Sequence, residues 1–129
     1  HDAAKVEVFV AVVKTLIPQA KLYCSPGSLI EKKAIQSGIQ VKREGFMDRA
    51  YNEDGTLRSR TLEGAVLTDL KQVGSQVLSI VKKQSVPVFG GEFIPLSVQT
   101  LCLHGDHPQA VELIQSVDRL LKLNGIDVH

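Results

Sequence analysis

The chain has 129 residues, of which 43% are hydrophobic, and fifteen Lys and Arg stand against fourteen Asp and Glu. That length can bury one core, the near-neutral charge gives no electrostatic footprint for duplex nucleic acid, and no apolar run approaches the ~20 residues that cross a bilayer as a helix. Cys24 and Cys102 show neither a CxxC nor a Cys/His pair at metal-ligand spacing, and they read as two reduced thiols of a cytoplasmic protein.

Between Lys5 and Ile17, Val6, Phe9, Val10, Val13 and Ile17 recur at helical spacing. Val8 and Val12 widen the apolar face, which predicts a helix covered on more than one side, and Pro18 ends it. Ala20 to Cys24 reads as a buried strand stopped by Ser25-Pro26-Gly27. Ser28-Leu29-Ile30-Glu31 is a capping box for a helix that runs to Gly38, followed by a strand from Ile39 to Phe46. The polar stretch from Met47 to Arg60 carries the turn signal Asn52-Glu53-Asp54-Gly55 and is expected to add little to a core.

Leu70 to Lys83 is helical again, with Leu70, Val73, Val77, Ile80 and Val81 on one side. Val86 to Leu96 suggests a hairpin around Gly90-Gly91. Val98 to His104 reads as a strand, Pro108 to Leu123 as an amphipathic helix ended by Gly125, and Ile126 to Val128 as a last short strand. Alternating helix and strand imply one α/β domain over residues 1–129 with a mainly parallel sheet. The chain opens on His1-Asp2 without a methionine and shows no secretory or transit segment, so its start reads as cut.

In such folds ligands bind at the carboxyl ends of strands, where loops and helix N-termini converge. Alternation places Thr100, Cys102 and His104 on one side of their strand, with Asp106 just beyond. An imidazole beside a carboxylate is a proton-transfer pair; the structural alternative has Asp106 capping the next helix and His104 in a buried hydrogen bond. After the second strand, Glu44 and Asp48 can activate water or hold a cation. Arg49, Arg58 and Arg60 can grip a phosphate or carboxylate, unless Asp48 and the arginines pair to pin the loop. Ser25-Pro26-Gly27-Ser28 lacks the P-loop glycines, which leaves Ser28 as a cap. His1, His107 and His129 have no partner at interpretable spacing, and neither GxSxG nor HExxH occurs.

Four stretches in this order, Glu44-Gly45-Phe46-Met47-Asp48-Arg49-Ala50-Tyr51, Asp54-Gly55-Thr56-Leu57-Arg58-Ser59-Arg60, Gly64-Ala65-Val66 and Thr100-Leu101-Cys102-Leu103-His104-Gly105-Asp106, resemble the motifs of the LamB/YcsF family. Met47 stands where the family usually has alanine and Ser59 where proline is common. The family includes the A subunit of bacterial ATP-dependent 5-oxoprolinase. The resemblance therefore implies opening of the lactam of 5-oxo-L-proline to L-glutamate, with ATP as co-substrate and subunits B and C as partners, and it allows for a divalent metal. In that reaction it implies His104 and Asp106 as proton-transfer groups, and Glu44 and Asp48 as ligands of water or a cation. Arg49, Tyr51, Arg58 and Arg60 would bind substrate or phosphate.

The family's Asp-Leu-Asn, His-Ala-Gly-Asp, Gly-Ala-His-Pro and Lys-Pro-His-Gly motifs, which lie upstream, are absent from this sequence. Closed (β/α) barrels take ~250 residues, so the resemblance implies the C-terminal half of a distorted (β/α) barrel of the glycoside hydrolase/deacetylase type. Half a barrel supplies half a site and leaves an open sheet edge. The chain alone is then expected to be inactive, with its edge covered by an N-terminal half or by a second copy in a homo-oligomer. Two other readings are a metal-dependent hydrolase acting on carbohydrate and a non-catalytic binding module that retains half a site.

Overall fold

The computed structural model describes residues 2–128. They form two compact units: the chain up to Gly45 with Val98–Thr100, and Phe46–Ser97 with the chain from Leu101 onward. His1 and His129, unassigned in the sequence, lie outside the described residues.

In the first unit, helix α1 (Ala3–Leu16) starts where the Asp2 carboxylate accepts the Ala4 N–H at 3.1 Å and stops before Pro18. Val10 meets Ala34 and Ile39 in a small core, with Val6, Val13, Leu22, Ile30 and Val41 packed around it. Val8, Phe9, Val12, Leu16 and Ile17 are exposed. The wide apolar face is thus covered on one side only, because the core reaches no further than the Val6, Val10 and Val13 line. Strand β1 (Lys21–Cys24) is followed by α2 (Leu29–Gln36), where Ser28 Oγ accepts the Glu31 N–H as expected of a cap. Glu31 departs from the reciprocal capping box: its carboxylate accepts from Gly27 N at 2.6 Å and from Arg43 Nε. Gly38, at φ 75°, closes α2 as a Schellman motif, with Gly38 N bonded to Ile35 O and Ile39 N to Ala34 O, each at 3.0 Å.

Strand β2 (Gln40–Phe46) pairs parallel with β1, from Lys21↔Gln40 to Cys24↔Arg43. The strand order of the sheet is β1-β2-β5, β5 being Thr100–Cys102. The chain is therefore α/β with a parallel pairing, as expected, although β5 is shorter than the Val98–His104 span.

In the second unit, α3 (Leu70–Lys83) and α4 (Ala110–Leu123) pack through Val73 and Val77 against Leu113, Val117 and Leu121. Short strands β3 (Ser85–Pro87) and β4 (Phe93–Pro95) pair antiparallel around Gly90-Gly91, the hairpin the sequence suggested. Two expectations fail here. Met47, Ala50 and Tyr51 are buried, because isolated bridges Arg49↔Val66, Tyr51↔Leu57 and Tyr51↔Val88 fold the polar stretch back onto the core. Ile126–Val128 is not a strand: Ile126 N is bonded to Leu121 O at 3.0 Å in the Schellman motif that Gly125 closes, and the Ile126 side chain packs on the core.

Neither cysteine forms a disulfide among the described residues, and Cys24 is buried. Burial first, and then the nearby Glu31 carboxylate, push the Cys24 thiol above its ordinary range. Among the described residues no helix is long and apolar enough to cross a membrane.

Candidate functional site

The chain leaves β2 at Phe46 and enters a short segment held from several directions within the second unit. Met47 N donates to Cys102 O at 2.9 Å, Leu67 N to Asp48 O at 2.8 Å, and Ala50 N to Ala65 O at 3.0 Å. The Tyr51 hydroxyl reaches back to accept from Phe46 N at 2.8 Å. These bonds leave the backbone around Asp48 few alternatives, and its side chain is only 1% exposed.

Both Asp48 carboxylate oxygens lie 2.9 Å from His104 Nδ1, and Oδ2 also accepts the His104 backbone N–H at 3.3 Å. A carboxylate only accepts, so Nδ1 carries a proton, and in the neutral ring Nε2 keeps its lone pair. The imidazole stacks on Phe46, with centroids 5.5 Å apart and planes 17° from parallel. Its side chain is 24% exposed, so a solute can reach the ring. A cavity of about 130 Å³ opens there, lined by Asp48, His104, Arg60, Asp106, His107, Val66 and Pro108.

The carboxylate on the imidazole is thus Asp48, not the neighbouring Asp106. Strand β5 ends at Cys102, and Asp106, 72% exposed, lies 3.4 Å from Arg60 instead. Nor does Asp106 cap α4, whose N-cap is Gln109 without a side-chain bond. Glu44 is half-buried in the first unit and does not line the cavity.

Arg49 and Arg58 depart from the anion-binding expectation. Arg49 is buried and donates from Nε to Ala65 O at 3.2 Å and from Nη2 to Arg58 O at 2.7 Å. Arg58 donates from Nε to Glu63 O at 2.9 Å, with its guanidinium 3.6 Å above the Phe89 ring. The loop is pinned by arginines, as the structural alternative held, but through carbonyls rather than through Asp48. Burial and then the Arg60 charge lower the Arg49 pKa, while the Asp48 and Tyr51 charges oppose them. Tyr51 is buried with its hydroxyl on Phe46 N, which leaves Arg60 as the expected binding residue that lines the cavity.

Two residues escaped the sequence reading. His107 is buried; its Nδ1 accepts from Gln109 N at 3.0 Å, so Nε2 donates to Leu67 O at 3.1 Å. Gln76 is buried on α3 with Nε2 near three carbonyls, Phe46 O at 2.9 Å, Met47 O at 3.2 Å and Arg49 O at 2.9 Å. An amide three residues after Val73 on the apolar face of a helix was the available signal for Gln76. Among the described residues no group of three or more His, Cys, Asp or Glu side chains could hold a metal ion.

The family model described as "LamB/YcsF family" matches residues 1–129. The chain is 41% identical over 116 residues to the 5-oxoprolinase A subunit of Heliobacterium modesticaldum, a match that covers 90% of this chain and 46% of that protein. It is 39% identical over 128 residues to the 5-oxoprolinase A subunit of Acinetobacter baumannii strain ACICU, covering 99% and 50%. The crystal structure of the lactam utilization protein from Thermus thermophilus superposes with a TM-score of 0.91 at 29% identity, over 100% of this chain and 51% of that one. The chain spans about half the length of the curated relatives it matches.

Proposed function

The chain belongs to the LamB/YcsF family, and from that premise we propose that it supplies the C-terminal half of the A subunit of a 5-oxoprolinase. The whole enzyme opens the lactam of 5-oxo-L-proline to L-glutamate with cleavage of ATP, in the cytoplasm and with subunits B and C alongside. The half-length match to the T. thermophilus protein supports reading the fold as half of a distorted (β/α) barrel, completed by an N-terminal half.

One observation carries the chemical reading: a buried carboxylate holds an accessible imidazole through Nδ1, inside a small cavity. At about 130 Å³ the cavity is well below the ~300–1,000 Å³ of drug-sized ligand pockets, which suits a small metabolite. An unstrained amide carbon resists attack by water. Transfer of the ATP γ-phosphoryl group to the lactam oxygen releases ADP and makes that carbon electrophilic. Water then adds, the ring C–N bond breaks with its nitrogen leaving as an amine, and a second water cleaves the resulting acyl phosphate to glutamate and phosphate.

In this reading His104 Nε2 takes the proton from an attacking water, a role worth about 10²–10⁴-fold in rate. Asp48 holds the ring in the tautomer that leaves Nε2 free. Arg60, steadied by Asp106, is the cation available to the substrate carboxylate or to a phosphoryl oxygen. Among the described residues no cluster of three ligating side chains fits the divalent metal that the resemblance allows.

The test is reconstitution: the chain, a separately made N-terminal half of a relative, and subunits B and C are mixed, and ATP-dependent glutamate formation is measured. The proposal expects activity in the full mixture and none from the chain alone. Verified association of the halves without glutamate formation would count against it.

A further inference from the structure

Asp48 works on His104 only if its carboxylate stays where both oxygens meet Nδ1, and the backbone on either side decides that. The carbonyls of this segment point to two different anchors. Asp48 O accepts from Leu67 N at 2.8 Å, whereas Phe46 O, Met47 O and Arg49 O all converge on Nε2 of Gln76. A primary amide has two N–H hydrogens, so three carbonyls share two donors. Gln76 is 2% exposed and sits on α3 beside Val73 and Val77, which are fully buried. Its amide is therefore held by a rigid helix, and water is not at hand to replace it.

We infer that Gln76 is a positioning residue for the proton-transfer pair: it orients the peptides flanking Asp48 and so holds the carboxylate against His104 Nδ1. The inference rests on the proposed role of that pair and names what sets its geometry. A purely structural Gln76 would, when replaced, lower stability and leave the His104 tautomer of the folded molecules unchanged. A positioning Gln76 would also move the ring proton, because an imidazole released from Asp48 returns to the Nε2–H tautomer that histidine prefers in water.

The experiment is ¹⁵N NMR of the His104 ring in the unaltered 129-residue chain and in Gln76→Met, which keeps the bulk of the side chain and removes both donors. The expected result is a proton on Nδ1 in the parent chain and its loss to Nε2 in Gln76→Met, with the amide signals of α3 and α4 still those of a folded protein. A folded Gln76→Met that keeps the Nδ1 proton overturns the inference. Should Gln76→Met not fold, the parent chain decides: slow exchange of the Gln76 side-chain amide, with couplings across the hydrogen bonds to the Phe46, Met47 or Arg49 carbonyl carbons, supports the inference. Exchange at the rate of an exposed amide overturns it. None of these readouts depends on lactam turnover, so they stand or fall apart from the proposed activity.

Discussion

Replacing Asp48 by asparagine removes a charge without changing the shape of the side chain, and the hydrogen-bond geometry fixes the outcome. The Asp48 carboxylate accepts two donors from His104, the ring Nδ1–H at 2.9 Å and the backbone N–H at 3.3 Å. Asparagine offers one oxygen and one NH₂ group. If its oxygen takes the Oδ2 position, it keeps the backbone N–H and stays 2.9 Å from Nδ1, but its NH₂ also lies 2.9 Å from Nδ1, and moving the ring proton to Nε2 removes that clash of donors. If its oxygen takes the Oδ1 position, it keeps Nδ1–H, and two donors face each other at the backbone. The first arrangement relieves the clash and turns Nε2 from a base into a donor. Loss of a general base costs about 10²–10⁴ in rate, or about 3–5 kcal/mol of barrier. In the reconstituted enzyme Asp48→Asn should therefore lower kcat for ATP-dependent glutamate formation by at least ~100-fold. Asp48→Asn turnover within threefold of the parent, with the ring proton still on Nδ1, would refute the reasoning.

Arg60→Ala should raise KM for the lactam by about tenfold or more with a smaller change in kcat, as expected when a charge-assisted contact is lost; Arg58→Ala, whose guanidinium serves Glu63 O and Phe89, should act on stability instead. Steady-state kinetics beside thermal unfolding separates the two. The first unit should lose stability in acid. Burial pushes the Glu31 carboxyl up, but the bonds from Arg43 and Gly27 outweigh it and hold its pKa below the ordinary 4.5. A lowered folded value means that this stabilisation is complete well above pH 4.5 and is lost progressively as pH falls through the folded value. Glu31→Gln should cost about 1 kcal/mol at neutral pH and flatten the acid limb of stability followed by circular dichroism, whereas an unchanged limb would remove Glu31 from the explanation.

Elements whose causes are local were legible in the sequence. Helix α3 has the predicted bounds because a 3.6-residue stripe and the Asp69 cap coincide, and Gly38 and Gly125 each end a helix as a Schellman cap. The same local logic failed at Ile126, where the capping motif claims the backbone N–H that a strand would need. The candidate site was legible only in part. Asp48 and His104 were both picked from strand ends and motif, but 56 residues separate them, and nothing nearby in sequence announces the pair. Asp106 looked like the partner because it is close along the chain, yet β5 stops at Cys102 and the chain then turns the imidazole toward the buried carboxylate. The arginines show the other limit. Their charge suggested an anion site, whereas in the folded loop Arg49 donates to the carbonyls of Ala65 and Arg58, and Arg58 to that of Glu63.

The central claim is that the imidazole of His104, held by Asp48, does the proton transfer that opens the lactam. The measurement that reaches it most directly is glutamate formed per ADP released by the reconstituted enzyme, with the parent chain and with His104→Ala. The parent should form glutamate and ADP in equal amounts, and His104→Ala should lose at least ~100-fold of the turnover while still associating with its partners. A His104→Ala enzyme that forms glutamate at the parent rate would contradict the claim.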